Sequence, residues 1–232
     1  MSDIFREVDD ALQKEKVERF WKEYGPALMV AAVLLVLSTA ATTAYRAWDK
    51  SRNETETAKL LNALQTEDPL PALQEAAQDT RSGQAAIAKL ISASINAQNG
   101  NMQDAANIYK AVYEDSATPA PFNDLARILF TRSALSLDNQ PAAPDLLAIL
   151  KPVIDNAKSP YRWQARIDAA MISGGLQKDY ETALAYLAPI GTQDHTQQAL
   201  KDRADKLTQL YTQKKNETAG LQTKTSQPDS TQ

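Results

Sequence analysis

LISASINAQNGNMQDAANIYKAVYEDSATP, residues 90–119, reads as two short helices joined by a tight turn. The first helix is predicted over Gln84–Gln98, with Ile87, Leu90, Ile91 and Ile95 recurring at the three- and four-residue spacing of one helical face. Asn99-Gly100-Asn101 ends it, because glycine takes the left-handed conformation that closes a helix without a steric penalty. The second helix is predicted over Met102–Glu114, carrying Ala105, Ile108, Tyr109, Val112 and Tyr113. Pro119 then interrupts the chain and favours the start of another helix.

The same alternation continues on both sides. Upstream, Asp49–Gln65 has helical composition, and Pro69 and Pro71 mark a fresh start at Asp68. Downstream, Leu125, Ile128, Leu129 and Leu135 share a face after Pro121, and Pro141 and Pro144 open a helix over Ala142–Asn156 in which Pro152 should distort the last turn. Ser159-Pro160 reads as a cap and first-turn proline for a helix carrying Trp163, Ile167, Ala170 and Met171, ending at Gly174-Gly175. Asp179 caps Tyr180–Pro189, and Asp194 and Gln197 have capping-box spacing before Leu200, Leu207, Leu210 and Tyr211. No run of alternating β-branched residues appears, so essentially no sheet is expected. Lys214–Gln232 is polar without apolar periodicity and is expected to be disordered.

Helix pairs of this length suggest a repeat. Gly100, Ala105, Tyr109 and Pro119 resemble the tetratricopeptide pattern, in which a small residue admits a neighbouring helix, an alanine fits against it, an aromatic fills the groove and a proline starts the next pair. Residues 178–190, KDYETALAYLAPI, resemble it again, with Ala183 and Leu187 in the places of Ala105 and Tyr109. Residues 119–156 form a degenerate pair between them. The fold expected is all-α, a single N-terminal transmembrane helix followed by a degenerate tetratricopeptide-like α-solenoid.

The transmembrane expectation rests on Tyr24-GPALMVAAVLLVLSTAATTA-Tyr45, 22 positions without a charge. Twenty-one residues of helix rise about 31 Å, close to one hydrocarbon core. Trp21 and Tyr24 before the stretch, and Tyr45 and Trp48 after it, sit where aromatic rings favour the two membrane interfaces. A cleavable leader needs a short basic start, whereas the 23 residues ahead of this stretch hold seven acidic and five basic side chains. Those residues also read as an amphipathic helix through Ile4, Phe5, Val8, Leu12, Val17 and Phe20. Orientation stays open on charge alone, because Lys14, Lys16, Arg19 and Lys22 are balanced by Arg46, Lys50, Arg52 and Lys59.

Composition narrows the chemistry. The 232-residue chain has a formal net charge of -4, which argues against nucleic-acid binding, and it has no cysteine, which removes disulfides, thiolate metal sites and thiol nucleophiles. Its one histidine, His195, follows Asp194 at a helix start and reads as a solvated cap residue. There is no phosphate-binding glycine loop and no nucleophile elbow. No catalytic residue, metal ligand, cofactor site or small-molecule substrate is expected.

The opening MSDIFREV, the segment Phe20-Trp-Lys-Glu-Tyr-Gly25, one span and a degenerate repeat domain together resemble the YfgM-like family of bacterial single-pass inner-membrane proteins. That resemblance implies an ancillary subunit of the SecYEG translocon, with its N-terminus cytoplasmic and its repeats periplasmic. It implies chaperone-like assistance to secreted or envelope proteins, with the translocon, periplasmic chaperones or secretory clients as partners. The organisation expected is a cytoplasmic amphipathic helix (1–23), a span (24–45), a helical extension (46–67), repeats (68–213) and a tail (214–232). Tyr109, Tyr113, Arg127 and Arg166 are the candidate partner contacts of a repeat groove. The competing reading is a structural scaffold or assembly factor for an inner-membrane or cell-division complex.

Overall fold

The structure, a computed structural model, describes residues 35, 37–191 and 197–225. Every regular element among them is helical. The chain divides into two compact units, Met1–Thr55 and Glu56–Gln232. Helix α1 covers residues 37–64, followed by α2 (Pro69–Asp79), α3 (Ser82–Gln98), α4 (Met102–Glu114), α5 (Ala120–Ala134), α6 (Ala143–Asp155), α7 (Arg162–Ile172), α8 (Tyr180–Gly191) and α9 (Gln198–Thr225).

In the first unit the described residues are helical and, apart from the half-buried Asp49 and Asn53, exposed. Their hydroxyls turn back onto the helix: Thr39 donates to the Leu35 carbonyl at 2.8 Å, Thr42 to Ser38 at 2.7 Å and Thr43 to Thr39 at 2.8 Å. Each of these O–H donors is therefore satisfied without water. Among the described residues no helix is long and apolar enough to cross a membrane. Most of the uncharged stretch, residues 24–34 and 36, lies outside them, as do the predicted amphipathic helix 2–23 and the Asp194–His195 cap.

In the second unit each helix packs on the next in sequence, and α3 also touches α5 while α7 touches α9. The helices therefore stack as antiparallel pairs, α3/α4, α5/α6 and α7/α8, with the Glu56–Leu64 end of α1 and α2 ahead of them and α9 behind. The contacts are built from alanine. Ala88, Ala93, Ala105, Ala126, Ala134, Ala165, Ala169, Ala170 and Ala183 have no exposed surface, and larger side chains such as Leu73, Ile128, Leu146, Leu150 and Ile167 fill the space between. Small residues let axes approach at the short end of the roughly 8–10 Å range for packed helices.

The helix ends follow the sequence in most places. Asp68 accepts from the Leu70 N–H at 3.4 Å and puts Pro69 in the first turn of α2. Gly100 closes α3 at φ 84°, with the Asn101 N–H reaching the Asn96 carbonyl at 2.8 Å. Asp179 accepts from the Thr182 N–H at 3.0 Å, and that bond holds its carboxyl below the usual carboxylate range.

Four boundaries differ. The Ser159 hydroxyl accepts from the Tyr161 N–H at 3.2 Å, so Pro160 lies in a turn and α7 starts at Arg162. Pro189, expected to end α8, lies inside it, and the helix runs on to Gly191, whereas α6 keeps Pro152 within it and ends at Asp155, close to the expected Asn156. Residues 214–225, expected without order, continue α9: Gln213 and Lys214 both bond Glu217, at 2.8 and 3.0 Å, and straight-chain side chains lose little rotamer freedom in a helix.

The fourth difference is at Gly174-Gly175, which does not end α7. The chain passes into a π-helical turn, Ser173–Gln177, and the left-handed residue is Lys178 at φ 58°. Gly174 serves a different purpose: a Cβ there would stand 2.6 Å from the Tyr211 ring of α9, so the missing side chain is what lets α9 dock. Tyr211 also stacks on Tyr180, with ring centroids 6.0 Å apart. Gly174→Ala should therefore lower unfolding stability by about 1–3 kcal/mol through overpacking. Gly175→Ala, with nothing within 4 Å of its Cβ, should be neutral or slightly stabilising. Urea unfolding of the two variants checks this, and equal midpoints would remove the docking role of Gly174.

Candidate functional site

The four candidate contact residues do not share one pocket. Tyr109 is 3% exposed and belongs to the core with Ala86, Leu90, Ala105 and Val112. Burial raises its pKa, offset in part by a hydrogen bond with Ser94. This corrects the expectation that it faces a partner. The aromatic fills the space that Ala105 leaves on α4, and no ring surface remains to offer.

Tyr113 and Arg127 do meet. The Arg127 guanidinium lies 4.9 Å from the Tyr113 ring centroid, and Phe130 meets the same ring edge-on at 5.4 Å. Arg127 Nε donates to Asn123 Oδ1 at 2.9 Å and Nη1 to the Ile149 carbonyl at 3.4 Å. Asn123 in turn donates to the Tyr113 carbonyl at 2.8 Å. One arginine of α5 thus ties the last turn of α4 to α6. Burial raises the Tyr113 pKa and Glu114 adds to it, while Arg127 opposes.

Arg166 lies one pair further on. Its guanidinium is 6.0 Å from the Trp163 ring, and Arg162 covers the same ring at 5.0 Å while donating from Nε to the Ile154 carbonyl at 2.9 Å. Burial lowers the Arg166 pKa, and the Arg162 charge lowers it further. Its Nε is buried with no hydrogen-bond partner.

These arginines share a local sequence that the repeat pattern did not disclose. Ala88-Lys89-Leu90, Ala126-Arg127-Ile128 and Ala165-Arg166-Ile167 occupy the first helices of three successive pairs, 38 and 39 residues apart. The small and large residues of each triplet are buried, and the cation between them is partly exposed. A long basic side chain between two core positions lays its stem along the helix seam and keeps its head near water. Ala58-Lys59-Leu60 has the same sequence in α1, but it stands only 30 residues before the α3 triplet, its Ala58 is exposed, and Lys59 pairs with Asp79 at 3.4 Å, so it lies outside the series. The signal was present in the sequence, but its spacing exceeds the 34-residue tetratricopeptide period.

A separate bridge joins successive first helices. Arg132 of α5 makes a two-pronged pair with Asp168 of α7, Nε to Oδ2 at 2.9 Å and Nη2 to Oδ1 at 3.2 Å, and Gln164 adds a bond to Oδ1 at 3.1 Å. Asp168 is buried, and those donors satisfy both of its oxygens. Between α2 and α4, over α3, lies a groove of about 550 Å³ lined by Leu70, Leu73, Ala77, Lys89, Asn96 and Ile108.

Of the interface aromatics, Trp21 and Tyr24 lie outside the described residues. Tyr45 and Trp48 are both mostly exposed, with ring centroids 6.1 Å apart and Arg52 at 5.6 Å from the Trp48 ring. Among the described residues no three acidic or histidine side chains converge as a metal site requires.

Removing the exposed Arg132 from the buried Asp168 tests the weight of the pair. Arg132→Met should destabilise the repeats by about 2 kcal/mol, because Asp168 keeps only Gln164 as a donor. Replacing both partners, Arg132→Met with Asp168→Leu, should recover most of that loss in the same denaturant titration. A double variant as weak as the single one would show that the pair holds α5 to α7 by more than charge.

The arrangement offers stacked helices and surface cations rather than convergent reactive groups. No curated protein and no solved structure matches the chain. Residues 18–152, more than half of the sequence, match the tetratricopeptide repeat-like domain family. Such domains are generally non-catalytic modules that mediate protein–protein interaction, and no enzymatic family is indicated. The chain belongs to the tetratricopeptide repeat-like domain family.

Proposed function

We propose that the chain is a membrane-anchored interaction module. The 24–45 stretch tethers the helical repeats to the outer face of a bacterial inner membrane, next to the SecYEG translocon, where they assist emerging secreted or envelope proteins. The observation that carries this reading is the extent of the family match. It opens at residue 18, ahead of the uncharged stretch, and runs through α2, the α3/α4 pair and α5 into α6, so the uncharged stretch and the first repeats fall in one matched unit. Two features of α1 agree with a tether. Its hydroxyls are satisfied within the helix, as hydrocarbon demands, and Tyr45 and Trp48 stand exposed beside Arg46, Lys50 and Arg52, the mixture that suits a headgroup layer.

Anchoring has a direct physical consequence. A tethered groove meets chains at the membrane at an effective concentration set by its leash, so weak contacts suffice. The translocon assignment rests on the resemblance of the opening eight residues and of Phe20–Gly25 to the YfgM-like proteins.

Affinity purification of the full chain from mild detergent tests it. SecYEG subunits should be enriched at least tenfold over a control from which residues 1–45 are deleted and the repeats are unchanged, and an unrelated apolar helix in place of residues 24–45 should restore the enrichment. Purification of other membrane complexes without SecYEG would favour the scaffold reading instead.

A further inference from the structure

Met171 and Arg203 meet at the seam between α7 and α9. The thioether sulfur lies 3.3 Å from Arg203 Nη2, across 32 residues of chain. Met171 stands in the last turn of α7 and is 39% exposed, whereas Ile172 beside it is buried. Two residues on, the chain enters the π-helical turn, where Gly174 lies against Tyr211 of α9. The sulfur therefore sits one turn from the contact that seats the last helix. We infer that Met171 is an oxidation site whose sulfoxide oxygen is captured by Arg203, so that oxidation fastens α9 to α7. Nothing in this depends on the tether or on any partner.

The step is a two-electron oxygen transfer from a peroxide. A lone pair of Met171 Sδ attacks one peroxide oxygen, the O–O bond breaks and an S–O bond forms. Sulfur loses two electrons, and the departing oxygen takes up protons and leaves as water. A thioether is only a weak acceptor and has two lone pairs, so Arg203 leaves one of them open to the oxidant. The product is different in kind. The sulfoxide is polar, and a bond to its oxygen from a guanidinium is charge-assisted. Among the described residues Arg203 enters no ion pair, so its donors are free for that oxygen.

Location decides the consequence. A sulfoxide inside a core disrupts its packing, but on this partly exposed side chain the added oxygen has room. Helix α9 rests mainly on α8, and α7 reaches it at few points, so one stronger bond on the α7 side changes how firmly it is held. Reduction by a dithiol-linked methionine sulfoxide reductase returns the thioether, the oxygen leaving as water and the dithiol becoming a disulfide.

Hydrogen exchange of the full chain in detergent, read by mass spectrometry before and after limiting hydrogen peroxide, tests this. Peptide mapping should find Met171 oxidised about twofold ahead of the half-buried Met102. The α9 amides from Leu200 to Tyr211 should then exchange about threefold more slowly. Met171→Gln, whose amide oxygen stands in for the sulfoxide, should show the slower exchange without peroxide. Treated Met171→Leu and treated Arg203→Gln should show no slowing. Oxidation of Met102 first, unchanged or faster α9 exchange in the treated protein, or slowing that survives in Met171→Leu or Arg203→Gln overturns the inference. Should Arg203→Gln free α9 before any treatment, Met171→Gln decides, and exchange as fast as in the untreated protein overturns the inference there too.

Discussion

Close approach between consecutive helices is the constraint on which the rest of the structure depends. Alanine at the crossing points, Ala88, Ala105, Ala126, Ala165 and Ala183 among them, holds the axes near enough for Leu90, Ile128 and Ile167 to reach across and close the core. Enlarging one crossing forces the following pair outward, because each helix touches chiefly its sequence neighbours. Gly174 carries the same logic to its limit, where even a methyl group has no room against Tyr211 and the final helix seats on bare backbone. With the core so economical, the partly exposed positions between core residues are regular, and a basic side chain placed there recurs at each level of the stack.

Much of the fold was legible because helix punctuation is local chemistry. Asn99-Gly100-Asn101, Asp68-Pro69 and Asp179 end or start helices through bonds that their own side chains and backbone make, and the structure places them there. The recurrence of Ala105 and Tyr109 could be read for the same reason. What could not be read depends on distant partners. A pair of glycines looks like a helix stop until Tyr211, some 37 residues on, is found lying against one of them. The polar end of α9 looks unstructured because its periodicity lies in Gln213, Lys214 and Glu217 rather than in apolar residues.

The candidate site shows the same division. Spacing alone marks Tyr109 and Tyr113 as a helical pair, but the core takes one and leaves the other half-covered under Arg127. Arg127 and Arg166 were picked out individually, and their equivalence emerges only once Ala126, Ile128, Ala165 and Ile167 are seen to be buried in register. The 38- and 39-residue steps conceal it from a search at the usual repeat length. On the proposed reading, tether and repeats have separable duties: the uncharged stretch would set where the module stands, and the stacked pairs what it can hold.

That division makes location the central claim, and the absence of cysteine makes it measurable. A single Lys110→Cys substitution at an exposed position on α4 gives one reactive thiol on the repeats. Treatment of intact spheroplasts with a membrane-impermeant maleimide should label it fully, in protein that stays with the membrane through alkaline extraction. Labelling only after the inner membrane is broken, or release of the protein at high pH, would contradict the account.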